Sequence, residues 1–288
     1  MTRHVARAGR LDPYGLSEGW DDVAGRPVRT LSSGSSGDQP EVVFLPGLGA
    51  PGYLAPWAHQ TARWTRATIV DLPGWRGGRA RSCPPTLDGV AGALAGWLSA
   101  TERRGVILIG HSTGAQAALR AALLAPERLA GLVLAGPTFD PDCRRVGALL
   151  RRTAATLIHE MPSEALAVTP SYVRSGIVGL LRFLRDGLGD RPEDAVGSVP
   201  VPLFVMTGQR DGFAPPQWAQ LLARRASSDV RILPGAHNFC FPHPDLADAA
   251  VREFLTRRPA QDVSVAPAGA EVLPTLPPNP NSLPSGSR

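Results

Sequence analysis

Five short apolar runs punctuate this chain: Val42-Val43-Phe44-Leu45, Thr68-Ile69-Val70, Val106-Ile107-Leu108-Ile109, Leu132-Val133-Leu134 and Leu203-Phe204-Val205-Met206. A sixth and weaker one is Val230-Arg231-Ile232-Leu233. Near-continuous apolar character, with no polar alternation, is what a strand shows when both faces of its sheet are covered. Gly or Pro follows each of the five, and between the runs lie longer segments of helical periodicity, the alternation of a parallel sheet with crossover helices. The clearest helix is Thr113 to Leu124, rich in Ala and Leu and stopped by Pro126. Others are predicted over Leu87 to Ala100, Pro215 to Ala226 and Asp245 to Leu255, the last with apolar positions at Leu246, Ala249, Ala250 and Leu255.

Two regions break this alternation. Between Pro137 and Val199 there is no strand-like run, only two amphipathic patterns, Val146, Leu149, Leu150, Leu157 and Ile158, then Val173, Ile177, Leu180, Leu181 and Leu184. Helices inserted between two sheet strands read as a lid. The tail from Pro259 to Arg288 is rich in Pro, Ser, Gly and Asn, buries too little to offset its ordering entropy, and is expected to be disordered. The organisation expected is therefore a core over 1–136 and 200–258, a helical cap over 137–199 and a disordered tail over 259–288. A chain of 288 residues with 43% hydrophobic content has ample material for that core.

Charge excludes more than it identifies. The 30 basic residues against 25 acidic ones leave a formal charge of +5, and every basic one is Arg. They are scattered as pairs such as Arg103-Arg104 and Arg224-Arg225 rather than gathered in a stripe with aromatics, so no nucleic-acid partner is expected. In the cap, Arg144, Arg145, Arg151, Arg152, Arg174, Arg182 and Arg185 could favour an acidic substrate, although a solvated helix face is the plainer account. Cys83, Cys143 and Cys240 are odd in number and far apart, which suggests neither a disulfide framework nor a zinc site. Met1 to Trp20 has no apolar signal-type core and no later run reaches about 18 apolar residues, so a cytoplasmic protein without a membrane segment is expected.

The chemistry sits at Gly110-His111-Ser112-Thr113-Gly114, directly between an apolar strand and an alanine-rich helix. G-x-S-x-G in that context is a turn that thrusts a serine hydroxyl out of the sheet at a helix N-terminus, where unpaired amides favour a developing negative charge. Gly110 and Gly114 are needed because side chains there would strike the neighbouring strand and helix. A serine needs a base to take its proton and a carboxylate to orient that base. Asp211 follows the Leu203 run and His237 follows the Val230 run, both at strand ends on the carboxyl edge where open parallel sheets bind ligands. Asp140, beyond the Leu132 run, is an alternative acid. His59, His159 and His243 read as surface histidines, and His111 as a packed or hydrogen-bonded neighbour of the nucleophile with a possible part in holding substrate. An oxyanion hole would draw on the backbone N–H of Thr113 and of Leu48, the latter in the loop Leu45-Pro46-Gly47-Leu48-Gly49. Gly47, Gly49 and Trp75 are further candidates for substrate contact.

These residues resemble the α/β-hydrolase fold, of the cap-bearing esterase, lactonase and carbon–carbon-bond hydrolase type. The resemblance spans Val42 to Leu255 and is carried by Leu45 to Gly49, Asp71-Leu72-Pro73-Gly74, Gly110 to Gly114, Gly208 to Asp211 and Gly235-Ala236-His237. It implies a mostly parallel eight-stranded sheet with flanking helices, a helical cap, a small-molecule substrate, and neither metal nor organic cofactor. Pro46 stands where the family often has a histidine, which leaves the loop amides available. Trp75-Arg76-Gly77-Gly78 departs from the small residues common beyond Asp71-Leu72-Pro73-Gly74, a difference at the substrate entrance. Asp in place of Ser112 would have indicated haloalkane or epoxide chemistry. The expected activity is hydrolysis of an ester, thioester or lactone through an acyl-enzyme on Ser112. Acyl transfer, carbon–carbon cleavage and a non-catalytic receptor are the alternatives.

Overall fold

The computed structural model describes residues 4–5, 12–48, 51–75, 81–144, 146–157 and 176–257. The expected tail, together with His159, Arg145, Arg174 and Gly49, lies outside them. The strands are β1 (His4–Val5), β2 (Ser17–Val23), β3 (Arg26–Ser33), β4 (Val42–Leu45), β5 (Ala67–Asp71), β6 (Val106–His111), β7 (Leu129–Ala135), β8 (Leu203–Gly208) and β9 (Asp229–Leu233). They form one sheet in the order β1-β2-β3-β5-β4-β6-β7-β8-β9. All pairings from β5 through β9 are parallel. The first three strands are antiparallel, and the two-residue β1 only extends the edge of the eight-stranded sheet.

The apolar runs divide residue by residue between the two faces, as a pleated strand requires. Val43, Leu45, Leu108, Leu132, Leu134, Leu203 and Val205 point into one core layer, under α2 (Leu87–Ala100), α3 (Thr113–Leu124) and α7 (Pro216–Arg225). Val42, Phe44, Ile107, Ile109, Val133, Phe204 and Met206 point into the other, under α1 (Ala55–Thr61) and α8 (Pro244–Arg257). No polar alternation is visible because neither face meets water. Helix α3 lies closest to the sheet centre, and the inward positions that allow it are Ala115, Ala117, Ala118, Ala121 and Ala122.

From β4 the chain passes through α1 to β5 on one side, then through α2 to β6 on the other side of β4. That reversal opens a crevice beyond the carboxyl ends of β4 and β6, where the loop at Gly47 faces Ser112.

Among the described residues, the insertion between β7 and β8, expected as a cap, carries three α-helices: α4 (Val146–Leu157), α5 (Ile177–Gly189) and the short α6 (Pro192–Ala195). Phe183 of α5 is buried against Trp75, ring centroids 5.6 Å apart. Asp186 accepts the Leu87 amide at 2.6 Å, Gln116 donates to the Gly187 carbonyl at 2.9 Å, and Arg120 donates to Asp190 at 2.6 Å. Of the cap arginines, Arg144 grips Glu193 through both terminal nitrogens and Arg152 pairs with Asp140, while Arg151, Arg182 and Arg185 are exposed. Among the described residues no helix is long and apolar enough to cross a membrane.

The N-terminal hairpin β2–β3 is joined to the core by a polar contact. The buried indole of Trp97 on α2 donates to the buried Asp21 carboxylate of β2 at 2.8 Å. Trp97→Phe keeps most of the ring but removes the donor, and should lower the unfolding free energy in urea titration by about 1–3 kcal/mol.

Candidate active site

Ser112 adopts φ 60° and ψ −130°, a region that side chains other than glycine rarely occupy. Its amide donates to the Ala135 carbonyl at 2.9 Å. Close approach on every side requires the flanking glycines. A β-carbon on Gly110 would stand 2.5 Å from the Gly114 carbonyl and 2.6 Å from Ala118, and one on Gly114 would stand 2.5 Å from the carbonyls of Leu45 and Pro46. On Gly47 it would meet the Ser112 β-carbon at 2.7 Å. The loop after β4 therefore rests directly on the serine.

The loops after β8 and β9 are laced together by backbone. Gln209 and Arg210 amides donate to the carbonyls of Leu233 and Gly235 at 2.8 and 3.0 Å, and Gly235 holds φ +109°. This lacing brings His237 Nδ1 to 2.9 Å from Asp211 Oδ2 and Nε2 to 2.8 Å from Ser112 Oγ. The carboxylate accepts Nδ1–H, which leaves the Nε2 lone pair for the serine hydroxyl. Asp211 is 3% exposed, and its other oxygen accepts the amides of Phe213 and Ala214 at 2.9 and 2.8 Å. Burial alone would raise its carboxyl, but the charge and hydrogen bond of His237 and those two amides together hold it below the ordinary carboxylate range. Phe213 packs edge-on against the His237 ring at 5.0 Å.

Asp140 takes a different part: its carboxylate pairs with Arg152 at 3.1 Å and caps the Asp142 amide. His59 is exposed and bonds the Tyr14 carbonyl, and His243 opens α8. Trp75 is 1% exposed, packed on Phe183 with its amide on Asp71, and is not among the described residues that line the cavity. It supports the cap helix from beneath.

Ser112 stands in a cavity of about 310 Å³. Leu48, Thr113, His111 and His237 line it close to the serine. Tyr53, Thr138, Phe139, Phe213 and Asn238 line it too, with Leu149, Thr153 and Leu184 from the cap. These second-named residues carry no motif; they come from loops and from the inner face of the cap, and only the folded chain gathers them. Among the described residues no group of three or more His, Cys, Asp or Glu side chains could hold a metal ion.

The sequence profile of the alpha/beta hydrolase family matches residues 42–254. The chain belongs to that family. This hydrolase is 26% identical over 259 residues to RutD of Caulobacter sp. (strain K31), a protein named for carbamate hydrolysis, covering 78% of this chain and 94% of that one. It is 28% identical over 253 residues to a pimeloyl-[acyl-carrier protein] methyl ester esterase of Methylococcus capsulatus, covering 77% and 96%. Among solved structures, the enol-lactonase of Burkholderia xenovorans LB400 superposes with a TM-score of 0.69 at 18% identity, over 83% of this chain and all of that one.

The hydrolase also buries a second imidazole. His111 is 1% exposed, and burial first, then the proximity of His237, push it from 6.5 down to about 3. Above pH 6.5 both folded and unfolded chains hold it neutral, so its contribution to stability is fully present. Below that value the unfolded chain takes up a proton that the folded chain refuses, and stability is lost as pH falls toward 3. Asp211, depressed below 3.8, loses its contribution only at still lower pH than this window's upper part. Between pH 7 and pH 5 the His111 contribution amounts to about 2 kcal/mol. His111→Gln should therefore lose about that much less stability than the parent over the same interval in urea titrations.

Proposed function

We propose that this hydrolase cleaves an ester, thioester or lactone of a small organic molecule through an acyl-enzyme on Ser112. The observation that carries the reading is the unbroken chain from Ser112 Oγ to His237 Nε2 at 2.8 Å and from His237 Nδ1 to Asp211 at 2.9 Å, at the wall of a cavity. In this reading His237 takes the hydroxyl proton as Ser112 Oγ attacks the substrate carbonyl, and Asp211 stabilises the resulting imidazolium without itself taking the proton. The backbone N–H groups of Leu48 and Thr113 receive the oxyanion. Collapse expels the alcohol, thiol or ring oxygen, which takes the proton from His237. Water, deprotonated by the same imidazole, then releases the acid and restores the serine.

The activities for which a relative and a structural neighbour are named, methyl ester hydrolysis and enol-lactone hydrolysis, belong to the same carbonyl chemistry. The largely apolar lining, Leu48, Phe139, Leu149, Leu184 and Phe213, favours a substrate with a hydrocarbon portion. The three thiols, Cys83, Cys143 and Cys240, are buried and unbridged, in keeping with a reducing cytoplasm.

Ser112→Ala should keep the parent's melting temperature within a few degrees, lose fluorophosphonate labelling, and lower kcat on p-nitrophenyl esters by about 10⁶-fold. Undiminished labelling of the variant would overturn the assignment. Asp211→Asn should lower kcat by about 10⁴-fold, measured on the same esters.

A further inference from the structure

The loop that would receive the oxyanion and the imidazole that would act as base are joined by a second hydrogen-bonded chain, separate from the triad. The Gly47 amide donates to the Tyr53 hydroxyl at 2.7 Å. That hydroxyl lies 3.0 Å from His111 Nδ1, and His111 Nε2 lies 3.0 Å from the backbone carbonyl of His237.

The direction of every proton follows from the last of these contacts. A carbonyl oxygen only accepts, so Nε2 of His111 carries a hydrogen. A neutral ring has no other, so Nδ1 is bare and the Tyr53 O–H donates to it. The Tyr53 oxygen is then an acceptor for Gly47. A second proton on His111 would turn the Tyr53 O–H away from Nδ1 and place a buried cation 5.1 Å, ring to ring, from the imidazole that must itself become charged.

We propose that Tyr53 and His111 are positioning residues, forming a neutral strut that fixes the oxyanion loop relative to the base. The inference rests on the reading of Ser112, His237 and Asp211 as a triad, since it concerns where two parts of that machinery stand. Geometry supports it twice over. By occupying the Gly47 amide, Tyr53 sets the register of the loop so that the next amide, that of Leu48, is left for substrate. By holding the His237 carbonyl, His111 anchors the backbone at the same residue whose side chain reaches Ser112. An error of about 1 Å in such a placement can cost about 100-fold in rate.

Tyr53→Phe keeps the ring that lines the cavity and removes only the hydroxyl. On p-nitrophenyl butyrate it should lower kcat by about 10- to 100-fold with KM changed less than about twofold. Trp97→Phe, which weakens the fold away from the cavity, serves as the stability control and should keep kcat within about twofold of the parent. Unchanged kcat in Tyr53→Phe, or a raised KM with kcat intact, overturns the proposal. If Ser112→Ala is inactive while Tyr53→Phe keeps the parent's kcat, the triad stands and the strut falls. Activity remaining in Ser112→Ala removes the triad reading itself. Nitrogen-15 NMR of the parent protein tests the proton order independently of turnover: His111 should show the Nε2–H form at neutral pH. The Nδ1–H form there would overturn the proposal even if Tyr53→Phe failed to fold.

Discussion

Around Ser112, strand, loop and helix meet with no space for a β-carbon between them. Gly110 lies on the turn of α3, Gly114 on the carbonyls of Leu45 and Pro46, and Gly47 on the serine itself. The contact is backbone against backbone, and it decides where the hydroxyl points and how near the loop after β4 can come. The strained serine conformation costs about 1–3 kcal/mol and survives because the surrounding elements are each held independently in the sheet. Both core layers, with their unalternated apolar strands, serve in effect to keep these three glycines in register.

The parallel part of this architecture was legible because parallel strands buried on both faces leave an unmistakable apolar signature. Thr113–Leu124 and Leu87–Ala100 are helices at the predicted bounds, since a proline or a capping threonine marks their ends. The hairpin β2–β3 was not legible. Its strands, Ser-Glu-Gly-Trp-Asp-Asp-Val and Arg-Pro-Val-Arg-Thr-Leu-Ser-Ser, are half exposed, and their inward residues include Asp21 and Thr30, which hydropathy cannot mark as core. Asp21 is tolerated inside because Trp97 meets it, a partner 76 residues away.

At the site, chain order and strand ends gave Ser112, Asp211 and His237 as candidates, and the fold brings those side chains together. The choice between Asp140 and Asp211 needed three dimensions: both follow strands, but only one has a vector toward His237, the other being drawn off by Arg152. Trp75 and Tyr53 show the opposite failing. Proximity to a motif made Trp75 look like a substrate contact, whereas its indole carries a cap helix. Tyr53, in the single helical turn Gly52–Leu54 that carries no motif, reaches both the loop after β4 at Gly47 and His111 beside Ser112. The two imidazoles then differ through burial and neighbours together: His237 faces a carboxylate and can bear a charge, while His111, buried against a hydroxyl and a carbonyl, stays neutral.

The cap leaves the sheet after β7 and returns at β8, and these two strands are immediate neighbours. The Gly136 amide donates to the Met206 carbonyl at 2.8 Å, closing the base of the excursion like a clasp. Everything between departs and comes back at a single doorway, so its length adds little to the entropy of closing the loop. A cap of different size could be grafted there without moving a strand, and a lineage can alter what this scaffold admits while the machinery beneath stays as it is.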